Sequence, residues 1–228
     1  MGNRGPQPKR IISEKWNANL AYAIGLIATD GCLSKDGLLI DLTSKDKEQL
    51  LNFCKCVGTN FKIGNKRNGN GDLCLRIQFK NRFFYNFLLS IGLTPKKSLT
   101  MSKLKIPEKY FFDFLRGCFD GDGCFYSYWD PRWRSSHMFY LEFVSASKKH
   151  INWLQDELEK KIGVVGHTTI AIRKNKYFQL KYAKKESIEI INKMYYNPSV
   201  VCLSRKRVKI LEALKIEKKQ QKLYARVL

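Results

Sequence analysis

Two aspartates, each followed by a glycine at the end of an apolar run, are the side chains in this sequence best placed to do chemistry. Asp122 closes Leu115-Arg116-Gly117-Cys118-Phe119-Asp120-Gly121-Asp122-Gly123, and Asp30 closes a weaker copy, Ala23-Ile24-Gly25-Leu26-Ile27-Ala28-Thr29-Asp30-Gly31. The same offset of 92 positions separates Gly25 from Gly117, Asp30 from Asp122 and Gly31 from Gly123. A carboxylate at a helix C-terminus faces the negative end of the macrodipole, and a second one beside it adds like-charge repulsion. A purely structural helix pair gains nothing from that. Paired acids do suit a hard divalent cation, which takes oxygen ligands and can activate water for phosphodiester hydrolysis. For one isolated copy, an Asp-Gly turn ending a helix is the simpler explanation; two copies in register favour the paired site.

The elements that must position these acids follow from apolar periodicity. Residues 20–27 and 110–119 read as helices. Ala21, Gly25 and Thr29 stand at i, i+4 and i+8, as do Asp113, Gly117 and Gly121, so each helix has a narrow face on which another backbone can approach. Pairing those faces brings Asp30 and Asp122 together. After the first acid come a hairpin over 33–43 turning at Lys35-Asp36-Gly37, with Leu38, Ile40 and Leu42 on one face, and a helix over 46–57 ending at Gly58. Strands over 61–66 and 73–80, joined by the turn-forming stretch 65–72, lead to a helix over 82–91 that stops at Gly92, and Pro107 suits the first turn of the second acid's helix. The second half replays this order. It has an aromatic-rich hairpin over 124–145 (Tyr126, Tyr128, Trp129, Trp133, Phe139, Tyr140), a helix over 148–162, strands over 167–173 and 177–183 turning at Lys174-Asn175-Lys176, a helix over 185–196 and a basic helical segment over 204–223. Each half is helix, hairpin, helix, hairpin, helix. An antiparallel sheet with helices on one face leaves its other face free for a ligand.

Charge narrows the ligand. The 228 residues carry 42 Lys and Arg against 20 Asp and Glu, a net +22, and the pI is about 9.8. That balance calls for a polyanion, nucleic acid first and an anionic membrane second. There is no run of 18 apolar residues to span a bilayer, and nucleic acid is favoured. Residues 1–15 read as a basic N-terminal arm without the apolar core of a signal peptide, and Pro6 breaks the myristoylation pattern. Seven cysteines without paired C-x-x-C spacing read as reduced thiols of an intracellular protein, in cytoplasm, nucleoid or an organelle. His137, His150 and His167 lack ligand spacing, so a zinc site is not expected.

The strands suggest how nucleic acid is read. In 73–80, Leu75, Ile77 and Phe79 alternate with Arg76, Gln78 and Lys80; in the second half, Phe178, Leu180 and Tyr182 alternate with Gln179 and Lys181. Arg76 corresponds to Gln179 and Gln78 to Lys181. Arg, Lys and Gln hydrogen-bond base edges in the major groove, which admits a β-ribbon. The alternative is an ordinary solvated sheet face, which the charge excess makes less favoured. Lys62, Lys66, Arg67, Arg173, Lys174 and Lys176 would then contact phosphate and set register.

At the two acid-glycine copies the chain resembles the LAGLIDADG homing endonucleases, in the form where one chain carries both copies. The second copy matches through Gly117, Phe119, Asp120, Gly121, Asp122 and Gly123. The first departs at Ala23 for the leading leucine, Ala28 for the inner acid and Thr29 for the small residue, and keeps the final acid. The likeness spans roughly residues 16–214. It implies an α+β fold of two pseudo-symmetric αββαββα half-domains, 16–105 and 106–228, with saddle-shaped antiparallel sheets over a two-helix interface. It implies a monomeric, Mg²⁺-dependent endonuclease that cuts double-stranded DNA at a long, imperfectly palindromic site of roughly two helical turns, with Mn²⁺ substituting and Ca²⁺ supporting binding without cleavage. Asp30 and Asp122 would be the catalytic metal ligands, with the backbones of Thr29 and Gly121. Lys206, in Leu203-Ser204-Arg205-Lys206, and more loosely Lys97 would be active-site lysines that stabilise developing phosphorane charge or position water; phosphate contact or plain solvation is the alternative for both. The associated role is the spread of an intron or intein, here as a free-standing protein. An RNA-binding intron maturase and a DNA-binding regulator with a decayed nuclease site are rival functions on the same scaffold.

Overall fold

Asn17 starts the first acid's helix. Its side-chain oxygen accepts from the Leu20 amide at 2.8 Å, and α1 then runs Ala18–Asp30, buried from Leu20 to Ala28. Its partner, α5 (Phe111–Asp122), is entered through a single 3-10 turn, Glu108–Tyr110. Pro107 therefore begins that turn and not α5 itself. The two helices meet backbone to backbone. A Cβ on Gly25 would lie 2.3 Å from the Phe114 carbonyl oxygen, and one on Gly117 would lie 2.2 Å from that of Tyr22. Only glycine fits at either position, which is the physical content of the small-residue spacing.

The computed structural model of the chain describes residues 9–224 except 68, 70, 134 and 173–175, with the backbone alone for 221–224. Most of the basic arm, all of Arg173 and Lys174, and parts of the 65–72 and 174–176 turns lie outside the described residues. Each half forms a four-stranded antiparallel sheet. β1 (Gly31–Leu33), β2 (Leu39–Ser44), β3 (Ile63–Arg67) and β4 (Leu73–Lys80) are ordered β1-β2-β4-β3; β5 (Cys124–Trp129), β6 (His137–Ser145), β7 (His167–Ile172) and β8 (Lys176–Tyr182) are ordered β5-β6-β8-β7. Helices α2 (Lys47–Val57), α3 (Arg82–Ser90), α6 (Lys148–Ile162) and α7 (Lys184–Met194) cover one face of the sheets. One continuous apolar core runs through both halves, from Ile40, Leu42, Phe53 and Ile77 across α1 and α5 to Phe139, Phe143, Leu180 and Ile190. The helix-hairpin-helix-hairpin-helix order holds in both.

Local departures have local causes. Leu38 falls outside β2 and is 40 % exposed, so the alternating face begins at Ile40. Phe61 precedes β3 and stacks on Phe79 at 4.1 Å, its apolar side chain serving the core without joining the ladder. Lys97–Thr100 forms a one-turn helix, α4, which periodicity cannot reveal at four residues. Gly58 and Gly163 end α2 and α6 with φ of 67° and 68°, left-handed caps that favour glycine. The final helix, α8 (Ser204–Tyr224), starts against the first half and runs along the second: Arg205 pairs with Asp46 at 2.6 Å, and Lys184 of α7 pairs with Glu217 at 2.8 Å.

Candidate active site and nucleic-acid interface

Both acids occupy the C-terminal ends of the paired helices. A Cβ on Gly121 would meet Thr29 Oγ1 at 1.9 Å and Asp30 Oδ2 at 2.8 Å, so the Asp30 carboxylate lies over the residue preceding Asp122. The glycines that follow, Gly31 and Gly123, are extended at φ of −83° and −72°; each is needed because a Cβ would strike the helix at Ile27 or Phe119 within 2.7 Å. That close turn lets β1 and β5 start at once, so each sheet springs directly from its acid. Burial pushes the Asp30 carboxyl up to about 6, the Asp122 charge adds to this, and a 2.6 Å hydrogen bond from Gln49 Nε2 opposes it. Asp122 reaches solvent on its open side but is crowded by protein elsewhere, and its carboxyl is also raised. Two carboxylates pushed up by burial, one of them also by its neighbour, form a site short of positive charge.

Two buried lysines partly supply it. Lys97 Nζ donates to the Thr29 carbonyl at 3.1 Å, and Lys206 Nζ donates to the carbonyls of Phe119, Gly121 (3.3 Å) and Gly123 (2.7 Å). Each ammonium thus caps the end of one acid-bearing helix, on the carbonyls of Thr29 and Gly121 themselves. Burial lowers both ammonium groups, Lys206 to about 8; Asp122 and Asp30 hold Lys97 up, and Asp120 foremost, then Asp30 and Asp122, hold Lys206 up. Among the described residues no group of three or more His, Cys, Asp or Glu stands together as a metal cage. The donor set that fits a hard cation is the carboxylate pair.

The strand residues divide as their alternation requires. Ile77 and Phe79, with Phe178 and Leu180, point into the core, and Arg76, Gln78, Lys80, Gln179 and Lys181 take the outer faces. Lys62, Arg67 and Lys176 are exposed, and Lys66 lies on the outer face beside Asp41 at 3.5 Å. Arg76 is not free. Its Nη2 donates to Asp41 Oδ2 at 2.6 Å, and in the second half Gln179 donates to Glu142. The second outer face also carries a tyrosine stack, Tyr126 on Tyr140 at 5.3 Å and Tyr128 on Tyr140 at 6.3 Å.

No protein-family model and no curated protein matches the chain. Solved structures match it in fold. The meganuclease I-SmaMI, bound to uncleavable DNA, aligns with a TM-score of 0.56 at 12 % identity over 92 % of each chain. I-DmoI in complex with DNA and Mn aligns at 0.51 and 14 %, over 79 % of this chain and 97 % of that one. The N-terminal LAGLIDADG domain of WhiA aligns at 0.52 and 14 %, over 79 % and 83 %. The chain has the LAGLIDADG fold.

Within the LAGLIDADG helices the structure adds residues that sequence reasoning missed. Asp120, the inner acid retained only in the second copy, is fully buried; it accepts from Tyr22 Oη and from the Leu203 amide, both at 2.8 Å, and so joins α1 to the segment that delivers Lys206. Burial raises its carboxyl to about 6. Gln49 orients Asp30, and its Oε1 accepts from Ser44 Oγ at 2.9 Å. His150, at the corresponding place on α6, lines a small cavity beside Asp122 instead. Nothing in the sequence marks Gln49. Asp41 and Glu142 did leave a signal, a lone acid within an apolar strand in Leu39-Ile-Asp-Leu and Tyr140-Leu-Glu-Phe.

Proposed function

We propose that the chain is a site-specific, divalent-cation-dependent endonuclease that acts on double-stranded DNA as a monomer. The observation that carries this reading is the meeting of Asp30 and Asp122 at the root of two sheets whose outer faces hold Arg76, Gln78, Lys80, Gln179 and Lys181. Both halves come from one chain, so a long and imperfectly palindromic site fits better than a perfect one. Lys62, Lys66, Arg67, Lys176 and, outside the described residues, Arg173 and Lys174 would contact phosphates.

The carboxylate pair would hold Mg²⁺ or Mn²⁺ with the help of the Thr29 and Gly121 carbonyls, and Ca²⁺ would support binding alone. When bound, such a cation supplies a Lewis acid for water activation and charge neutralisation. The chain's own residues do the rest. Gln49 fixes the Asp30 carboxylate, Asp122 keeps an open side toward solvent, and the Lys97 and Lys206 ammonium groups hold positive charge beside the acids, where a phosphorane would develop negative charge. That I-DmoI has been crystallised with DNA and Mn, and I-SmaMI with uncleavable DNA, supports the reading by analogy of fold.

The test incubates the protein with Mg²⁺ and a randomised duplex library and sequences any cleaved ends, beside a parallel RNA library. Cleaved DNA ends that share a sequence are expected. Selective RNA binding without DNA cleavage would replace this reading with that of a maturase, and sequence-selective DNA binding without cleavage would replace it with that of a regulator.

A further inference from the structure

Each sheet carries one acid within its outer face, and the two stand in matching positions. Asp41 on β2 lies opposite Gln78 on β4, and Glu142 on β6 lies opposite Lys181 on β8. Both are largely buried, 9 % and 4 % exposed. Each also engages the reading residue two places earlier on the neighbouring strand, Arg76 for Asp41 and Gln179 for Glu142. Gln78 Nε2 and Lys66 Nζ also stand in the first cluster, both at 3.5 Å from Asp41 Oδ2, and Thr43 Oγ1 donates to Asp41 Oδ1 at 2.9 Å; Lys181 Nζ joins the second at 3.9 Å.

A carboxylate on a surface that grips a polyanion weakens the grip. Having one at the same register in both halves points to a purpose that affinity does not serve. A long arginine or glutamine left alone on a sheet would swing to whichever phosphate was nearest, which gives affinity without selectivity. Bonded to a carboxylate beside it, the side chain loses that freedom and holds its exposed N–H groups in one direction, as a directional base contact requires. On a wrong sequence the contact fails while the repulsion between acid and backbone remains, so the acid also penalises non-cognate DNA.

We infer that Asp41 and Glu142 are specificity-determining positioning residues, one for each half of the target, acting through Arg76 and Gln179. This rests on the proposed reading of the sheets as a duplex-reading surface.

The probe is a randomised duplex library in Ca²⁺, with the bound fraction sequenced for wild type, D41A and E142A, together with affinity for one scrambled duplex and the melting temperature of each protein. D41A, which removes the acceptor as well as the charge, should flatten base preference in one half of the enriched site and E142A in the other, with discrimination falling towards unity from the roughly ten- to hundredfold that a bidentate contact provides. Affinity for the scrambled duplex should rise about two- to fivefold, the size of one solvent-screened charge interaction. If the unpaired Arg76 unfolds the strand pair, D41A/R76A is compared with R76A; with no polar side chain at position 76 left to orient, Asp41 adds nothing and the two share the same preferences. Unchanged preference in both single variants, or loss in both halves from either one, would overturn the inference while the duplex-reading proposal stood. A wild-type protein that enriches no sequence would overturn that proposal and this inference with it.

Discussion

Asp30→Asn is the most informative single perturbation, because it separates a cation ligand from a structural acid. The Asp30 carboxyl is raised from 3.8 to about 6 in the fold, chiefly by burial and next by the Asp122 charge. A carboxylate with a raised folded pKa costs stability above that value, and the cost disappears as pH falls through about 6 towards 4. At pH 8 the full shift corresponds to about 3 kcal/mol, and because Asp30 keeps some solvent access about 1–2 kcal/mol is the figure to expect. Asparagine keeps the shape and an oxygen that still accepts from Gln49 Nε2, so without divalent ions D30N should melt higher than wild type. For a chain of this size each 1 kcal/mol is about 2–4 °C in Tm. Adding Mg²⁺ should stabilise wild type and not D30N, DNA affinity in Ca²⁺ should stay within several-fold, and cleavage should collapse. The assay is a melting series at pH 8 and pH 5 with and without Mg²⁺, beside cleavage and binding. The advantage of D30N should shrink to about half at pH 5 and go on falling as the pH drops towards 4. If D30N instead melted lower at pH 8 and bound and cut DNA in proportion to its folded fraction, Asp30 would be a structural residue and the reasoning would be wrong.

Binding should be strongly electrostatic: if about six to ten phosphates are contacted, duplex affinity falls about a thousandfold or more between 50 and 200 mM salt, and a flat response would remove phosphate contact from the account. Gly25→Ala, whose Cβ would stand 2.3 Å from the Phe114 carbonyl oxygen, should cost about 3 kcal/mol or more by chemical denaturation. Gly58→Ala, with φ of 67° and open space around it, should cost only about 1–2 kcal/mol. Arg116→Leu leaves Asp113 and the carbonyls of Met194 and Val201 without their buried donor, and should destabilise by about 3–5 kcal/mol; a change within error would show that apolar packing had replaced the network.

What could be read in the sequence is what repeats or alternates. The Gly25–Gly117 contact was legible because close helix approach demands small residues at fixed spacing, and the two copies supply them in register. The β4 and β8 faces were legible because a half-buried strand must alternate. The rest depends on partners far along the chain. Arg76 reads as a free basic side chain until Asp41, 35 residues earlier, is paired across β2 and β4. Gln49 is an ordinary polar helix residue until α2 packs beside Asp30. Lys97 sits in a single turn whose purpose, an ammonium delivered to the Thr29 carbonyl 68 residues away, has no local signature.

Those lysines also resolve the puzzle with which the sequence begins, an acid at the wrong end of a helix dipole. At the C-terminus of α1 the exposed carbonyl end would repel Asp30, and at α5 it would repel Asp122. In each case a buried ammonium bonds the terminal carbonyls, Lys97 at Thr29 and Lys206 at Phe119, Gly121 and Gly123. The dipole end is thereby neutralised by a group that also attracts the adjacent carboxylate, as the lowering influence of both lysines on Asp30 and Asp122 shows. Even so, both carboxyls remain raised, because two ammonium groups spread over four or more carbonyls do not offset burial at the acids. The remaining deficit of positive charge lies at the meeting point of the two helices, open to solvent on the Asp122 side and at the root of both sheets. A fold that needed only to close the helix pair would have placed asparagine there.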